Sequence, residues 1–117
     1  MAKLKSLLPT LRERKRYVVF EIVSKGRIKS FAGVSKAVWH GMLALNGQRG
    51  AAQAGMLLLP NKYNEKAQRG IARVSHTAVD AFKASLATIQ DIDGVPAVAR
   101  SVAVSGSLKK ASTRIAG

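Results

Sequence analysis

The hydrophobic period of this chain changes from two residues to about 3.6 and back, and that alternation limits its folds more than any single motif does. Residues 17 to 24, YVVFEIVS, are β-branched and aromatic and read as a strand. Alternation puts Val18, Phe20 and Ile22 on one face and Tyr17, Val19 and Glu21 on the other. After a turn at KGR the period becomes helical, with Phe31, Val34, Val38, Met42 and Leu45 in a stripe behind a Ser30 cap. Asn46-Gly47 is expected to stop that helix, and residues 47 to 55 to form a small-residue connector. MLLLP (56 to 60) reads as a short buried strand, NKYNEKAQ as a polar loop and RGIARVS (69 to 75) as a third strand. Thr77 with Asp80 forms a capping-box pattern ahead of a second stripe, Val79, Phe82, Leu86 and Ile89. DIDGVP is a turn, and residues 97 to 106 are a fourth strand.

The resulting order, βαββαβ, predicts an α+β fold of the ferredoxin-like, RRM-like kind. Four antiparallel strands would carry two helices on one face and leave the other open, with a short basic tail adding a helical turn. At 117 residues the chain reads as one domain, a basic segment 1–16, a core 17–106 and a basic tail 107–117. It has no cysteine, which removes disulfides, thiol nucleophiles and Cys-based zinc sites. No apolar run is long enough for a membrane span or a signal peptide, so a cytoplasmic protein with no membrane partner is expected.

Twenty Lys and Arg against six acids give +14 and a pI near 11.1. Such self-repulsion calls for a polyanion, and nucleic acid fits better than a lipid surface because no basic amphipathic helix stands out. The charge is concentrated at the two ends of the chain. Arg12, Arg14, Lys15 and Arg16 abut the first strand with no Gly, Ser or Asn between, so the strand holds them in place. Lys25 and Arg27 follow that strand, and Arg100, Ser107, Lys109 and Lys110 lie on or after the fourth. These residues, with Arg73, are the candidate RNA contacts.

Residues Arg69 to His76 share the skeleton of the octamer on the third strand of RNA-recognition motifs, at Arg69, Gly70, Ala72 and Val74. Ile71, Arg73 and His76 replace the aromatics that would stack bases, so backbone and shape recognition is expected instead. Gly47-Gln48-Arg49-Gly50 has the form of the loop with which KH domains clamp a nucleic-acid backbone. A KH-like or ribosomal RNA-binding module is therefore the alternative, although a minimal KH order leaves the fourth strand unexplained. Catalysis by side chains is not expected. His40 and His76 are the only histidines, and the six acids are scattered rather than convergent. Trp39 and His40, with Phe82 and Leu86 of the near-neutral second helix, are the candidate protein-partner contacts.

The segments LPTLRERKRYVVFEI, the Trp39-bearing helix, QRGIARV and VSGSLKK follow one another as in archaeal ribonuclease P protein component 2. The chain resembles that family from about Leu8 to Lys110, with Pro9 alone where the family often has two prolines. The resemblance implies a non-catalytic subunit of the ribonucleoprotein endonuclease that removes the 5′ leader from precursor tRNA. It also implies catalysis by the RNA, with magnesium at the RNA active site and no cofactor in this chain. Its implied partners are ribonuclease P RNA, precursor tRNA indirectly, ribonuclease P protein component 3 and further protein subunits.

Overall fold

A computed structural model describes residues 14–28 and 30–115; Arg12 lies outside them. The first strand, β1 (Lys15–Ser24), starts two residues earlier than its β-branched run, so Lys15 and Arg16 belong to the ladder itself. It is central, pairing antiparallel with both β3 (Arg69–Ser75) and β5 (Val95–Ser105). Two-residue strands β2 (Leu57–Leu58) and β4 (Asp91–Ile92) complete the order β2-β3-β1-β5-β4. The sheet therefore has five strands where the sequence predicted four. The extra one arises because Asp93 and Gly94 both take positive φ, 52° and 79°, the two-residue turn that closes a tight hairpin. The buried strand expected over residues 56–60 is only two residues long, with Leu57 exposed, because Pro60 opens a 3-10 turn.

Helix α1 (Phe31–Ala54) starts as predicted, with Ser30 Oγ accepting a bond from Gly33 N. It does not stop at Gly47. Gly47 takes φ 74°, ψ 175° and kinks the helix, which continues until Gly55 closes it in the left-handed conformation. The second half buries Ala51 and Ala54, while Leu45, expected in the apolar stripe, is 49% exposed. Residues 47–50 thus form a kink and a helical turn rather than the clamp loop of a KH module. Helix α2 (Val79–Leu86) follows a 3-10 turn at His76–Ala78, and the expected capping box is not made. Thr77 Oγ1 instead bonds Ser75 Oγ at 3.1 Å.

One face of the sheet carries the main core. Val18, Phe20 and Ile22 meet Val34, Val38 and Met42 of α1 and Phe82 and Leu86 of α2. Gly70 is glycine because the rings of Phe20 and Tyr63 press on the space a Cβ would fill, the nearest atom at 2.8 Å. The opposite face was expected to be open, and it is covered at the Val19–Ile71 end while Val23 and Val98 stay exposed at the other. The basic tail forms helix α3 (Leu108–Ser112), which seats Ala111 on Val19 and Ile71, flanked by Leu59, Val102, Ala103, Leu108 and Ile115. Two bonds tie the end of this lid down: Asn64 Nδ2 donates to Ile115 O at 2.9 Å and Arg69 Nη1 to Arg114 O at 2.8 Å.

Candidate nucleic-acid interface

The register places residues distant in sequence side by side. Tyr17 pairs with Arg73 of β3 and with Ser105 of β5, so the entrance of β1 lies beside the exit of β5. Arg16 Nη1 sits 3.6 Å from where a Cβ would stand on Gly106 and donates to Lys15 O at 3.1 Å. Arg14 is anchored through its carbonyl, which accepts from His76 N at 2.7 Å and meets His76 Nδ1 at 3.1 Å. One end of the sheet therefore gathers Arg14, Lys15, Arg16 and Arg73, and α3 sets out from it carrying Lys109 and Lys110. Residues 14–16 and the start of the basic tail thus come together, as the sequence suggested for the described part of these segments.

Two of the candidates also have structural roles. The Lys15 ammonium lies against Gly55 at the C-terminal end of α1, where a cation complements the helix dipole. The Ser107 hydroxyl caps α3, accepting from Lys110 N at 3.4 Å, and its own N–H donates to Ser105 Oγ. Ile71 and Arg73 stand on the face covered by α3, so the octamer strand offers no open platform for stacked bases.

Lys25, Arg27 and Arg100 do not join this cluster. They lie towards the other end of β1, whose length sets the two groups roughly 25 Å apart. Arg100 is held by Glu21, with Nη2 to Oε1 at 2.6 Å, and Arg69 Nε reaches Oε2 at 3.1 Å. The Arg100 hydrogen bond, then that of Arg69, holds the Glu21 carboxyl below its ordinary value against the opposing effect of burial. A lowered folded-state pKa means that the bridge stabilises above the unfolded value near 4.5 and is lost as pH falls through the folded one. Glu21→Gln is therefore expected to be less stable than the parent at pH 7. The gap should narrow as the pH falls below about 4.5 and through the lowered folded-state value, as followed by urea unfolding at each pH.

Phe82 and Leu86 cannot meet a partner as expected, because they are 0% and 1% exposed in the chain's own core. The periodic stripe that suggested an interface is the packing face of α2. Trp39 is half-buried beside that core and His40 is exposed, so these two remain available. His40 lines an open cleft of about 450 Å³ between α1 and the 88–94 segment, with Lys36, Thr88, Asp91 and Asp93. Asp93 packs against Gly33 in the first turn of α1. No group of three or more His, Asp or Glu side chains that could hold a metal occurs among the described residues. None of their helices is long and apolar enough to cross a membrane.

The sequence pattern of the Rpp14/Pop5 family matches residues 16–116. The chain belongs to this family. It is 34% identical over 108 residues to ribonuclease P protein component 2 of Thermococcus kodakarensis, covering 92% of this chain and 88% of that protein. The component 2 proteins of Pyrococcus furiosus, 34% over 106 residues, and Methanosarcina barkeri, 32% over 111 residues, cover 91% and 95% of this chain and 86% and 78% of theirs. Among solved structures, a chain of the yeast ribonuclease MRP cryo-EM structure shares the fold with a TM-score of 0.64 at 17% identity, over 83% of this chain and 77% of that one. The Rpp14/Pop5 match runs from Arg16 in β1 through α3, so it takes in both the central strand and the helical lid.

Proposed function

We propose that the chain is a protein subunit of ribonuclease P that binds and stabilises the catalytic domain of the RNA subunit. The observation that carries this reading is the pairing of Tyr17 with both Arg73 and Ser105 in a member of the Rpp14/Pop5 family. That pairing fixes Arg14, Arg16, Lys109 and Lys110 around one end of a rigid sheet. Cations held in register meet phosphates without the ordering cost of a loose tail. In this reading a ferredoxin-like core, β2-β3-β1-β5 with its two main helices, positions the RNA, and the RNA with magnesium performs hydrolysis in the cytoplasm. Precursor tRNA is met indirectly.

Reconstitution tests it. The purified chain should not cleave precursor tRNA without the RNA subunit, and adding it to that RNA should raise cleavage. Asp91→Ala or His76→Ala should leave the cleavage rate at saturating magnesium within a few-fold of the parent. A thousandfold loss with folding intact, the size expected of a missing catalytic group, would place the chemistry in this chain instead.

The second protein subunit, ribonuclease P protein component 3, is assigned to the α1 side bearing Trp39 and His40. A half-buried tryptophan next in sequence to a cleft-lining histidine is the kind of residue on which interfaces concentrate their energy. Trp39→Ala should weaken that association by about 2 kcal/mol or more, read by titration calorimetry, while RNA affinity is retained. Unchanged partner affinity would assign Trp39 to the core alone.

A further inference from the structure

The cations that fail to join the first cluster form a second one, and it is built rather than scattered. At the far end of β1 the 25–28 and 63–69 segments fold against each other. Arg69 and Arg100 hold the Glu21 carboxylate there, Arg27 and Lys66 line the same hollow, and Arg27 and Arg69 reach the backbone carbonyls of Glu65 and Arg114.

Gln68 holds the two segments together. Its φ of 51° is in the left-handed region that a residue with a side chain adopts only when its surroundings impose it. Here the carboxamide is fully used: Oε1 accepts from Ile28 N at 2.8 Å, and Nε2 donates to Ile22 O at 2.9 Å and Ser24 Oγ at 3.1 Å. Its carbonyl accepts from Ile22 N at 2.8 Å. Asn64 shapes the other segment, its Oδ1 accepting from Lys66 N and Ala67 N. Arg27 Nη1 then closes the gap by donating to Glu65 O at 3.2 Å. Between them lies a hollow of about 760 Å³ walled by Arg27, Tyr63, Asn64, Glu65 and Lys66. The Tyr63 hydroxyl at its wall is enclosed and has no hydrogen-bond partner among the described residues, where buried polar groups are normally paired.

A loop that only connected two strands would not need a strained glutamine, two interlocked hydrogen-bond systems and exposed cations aimed outward. Resting on the RNA-binding reading above, we propose that this end is a second RNA-phosphate contact site. Gln68 preorganises it, so that the chain holds two segments of RNA backbone at once, roughly 25 Å apart along β1. The ligand class is the sugar-phosphate backbone of folded RNA, with Arg27 and Lys66 as its principal contacts and no base-specific readout.

The test uses the full chain and ribonuclease P RNA, with affinity measured by filter binding from 50 to 200 mM salt. The double variant Arg27→Ala/Lys66→Ala should flatten the slope of log affinity against log salt by about two units. Arg14→Ala/Arg16→Ala should do the same independently, so the combined variant loses about four. Gln68→Gly keeps the backbone conformation available but removes the clamp. It should lower affinity in the parent and have little further effect in the Arg27→Ala/Lys66→Ala background. Circular dichroism and urea unfolding confirm that each variant is folded. If only the Arg14/Arg16 pair changes the slope, the second site is wrong and the RNA-binding reading stands. If neither pair changes it, both fail.

Discussion

Phe82→Ala should destabilise the chain by about 3–5 kcal/mol, the usual loss when a buried phenylalanine is truncated. Its ring is 0% exposed and packs edge-on against Phe20, centroids 6.5 Å apart and planes at 64°. That pair joins α2 to the central strand, and α2 has only eight residues to hold it. A cavity there cannot be closed by local collapse, because Val34, Val38 and Met42 of α1 are fixed on the other side by the same sheet. Against a typical total stability of 5–15 kcal/mol, this is a large share. Leu43→Ala on the exposed side of α1 should change stability by less than about 0.5 kcal/mol. Urea unfolding of the three proteins at pH 7 decides it. A small loss at Phe82 would mean that α2 is not docked as described, and would return Phe82 to the list of partner contacts.

What could be read from the sequence and what could not separate along physical lines. β1, β3 and β5 are legible because each runs to seven residues or more and carries β-branched residues between turn signals. The Ser30 cap was legible because its chemistry is local. β4 is not, since two residues have no period; the Asp93-Gly94 pair signals a turn but not the short strands on either side of it. The second half of α1 was hidden by Gly47, a residue that ordinarily ends a helix. Here the burial of Ala51 and Ala54 outweighs that preference. The lid α3 was hidden by composition: its seat in the core rests on one small residue, Ala111, between lysines that read as a solvated tail.

The site divides the same way. That Arg14 and Arg16 would be held in place followed from the missing hinge, and that they would meet the end of the last strand followed from the assumed strand order. The separation of Lys25, Arg27 and Arg100 into a second group depends on the 63–69 segment folding back on Ile22 and Ile28. That fold depends on Gln68, whose left-handed backbone leaves no mark in the sequence. Phe82 and Leu86 were misassigned for a related reason. A helix stripe facing a core and one facing a partner have the same period, and only the sheet beneath α2 tells them apart.

The affinity of the chain for ribonuclease P RNA should fall about a thousandfold between 50 and 200 mM salt. Each phosphate neutralised by a Lys or Arg releases condensed counterions, so the slope of log affinity against log salt approximates the number of phosphate contacts. The first cluster supplies Arg14, Arg16, Lys109 and Lys110, with Lys15 partly committed to the end of α1, and the second adds Arg27 and Lys66. About five or six contacts over a fourfold change in salt give about three decades. The guanidinium of Arg16 spends one donor on Lys15 O and keeps the others, so its contact with phosphate survives the strand that positions it. Recognition through stacked bases would behave differently: it would carry a shallow slope and be lost on replacing aromatic residues, yet the face bearing Ile71 and Arg73 lies under α3. Binding measured at several salt concentrations, with Arg14→Ala/Arg16→Ala as the matched variant, separates the two. A slope near zero in the parent would remove the electrostatic basis of the interface altogether. A steep slope that the variant leaves unchanged would move the interface away from the entrance of β1.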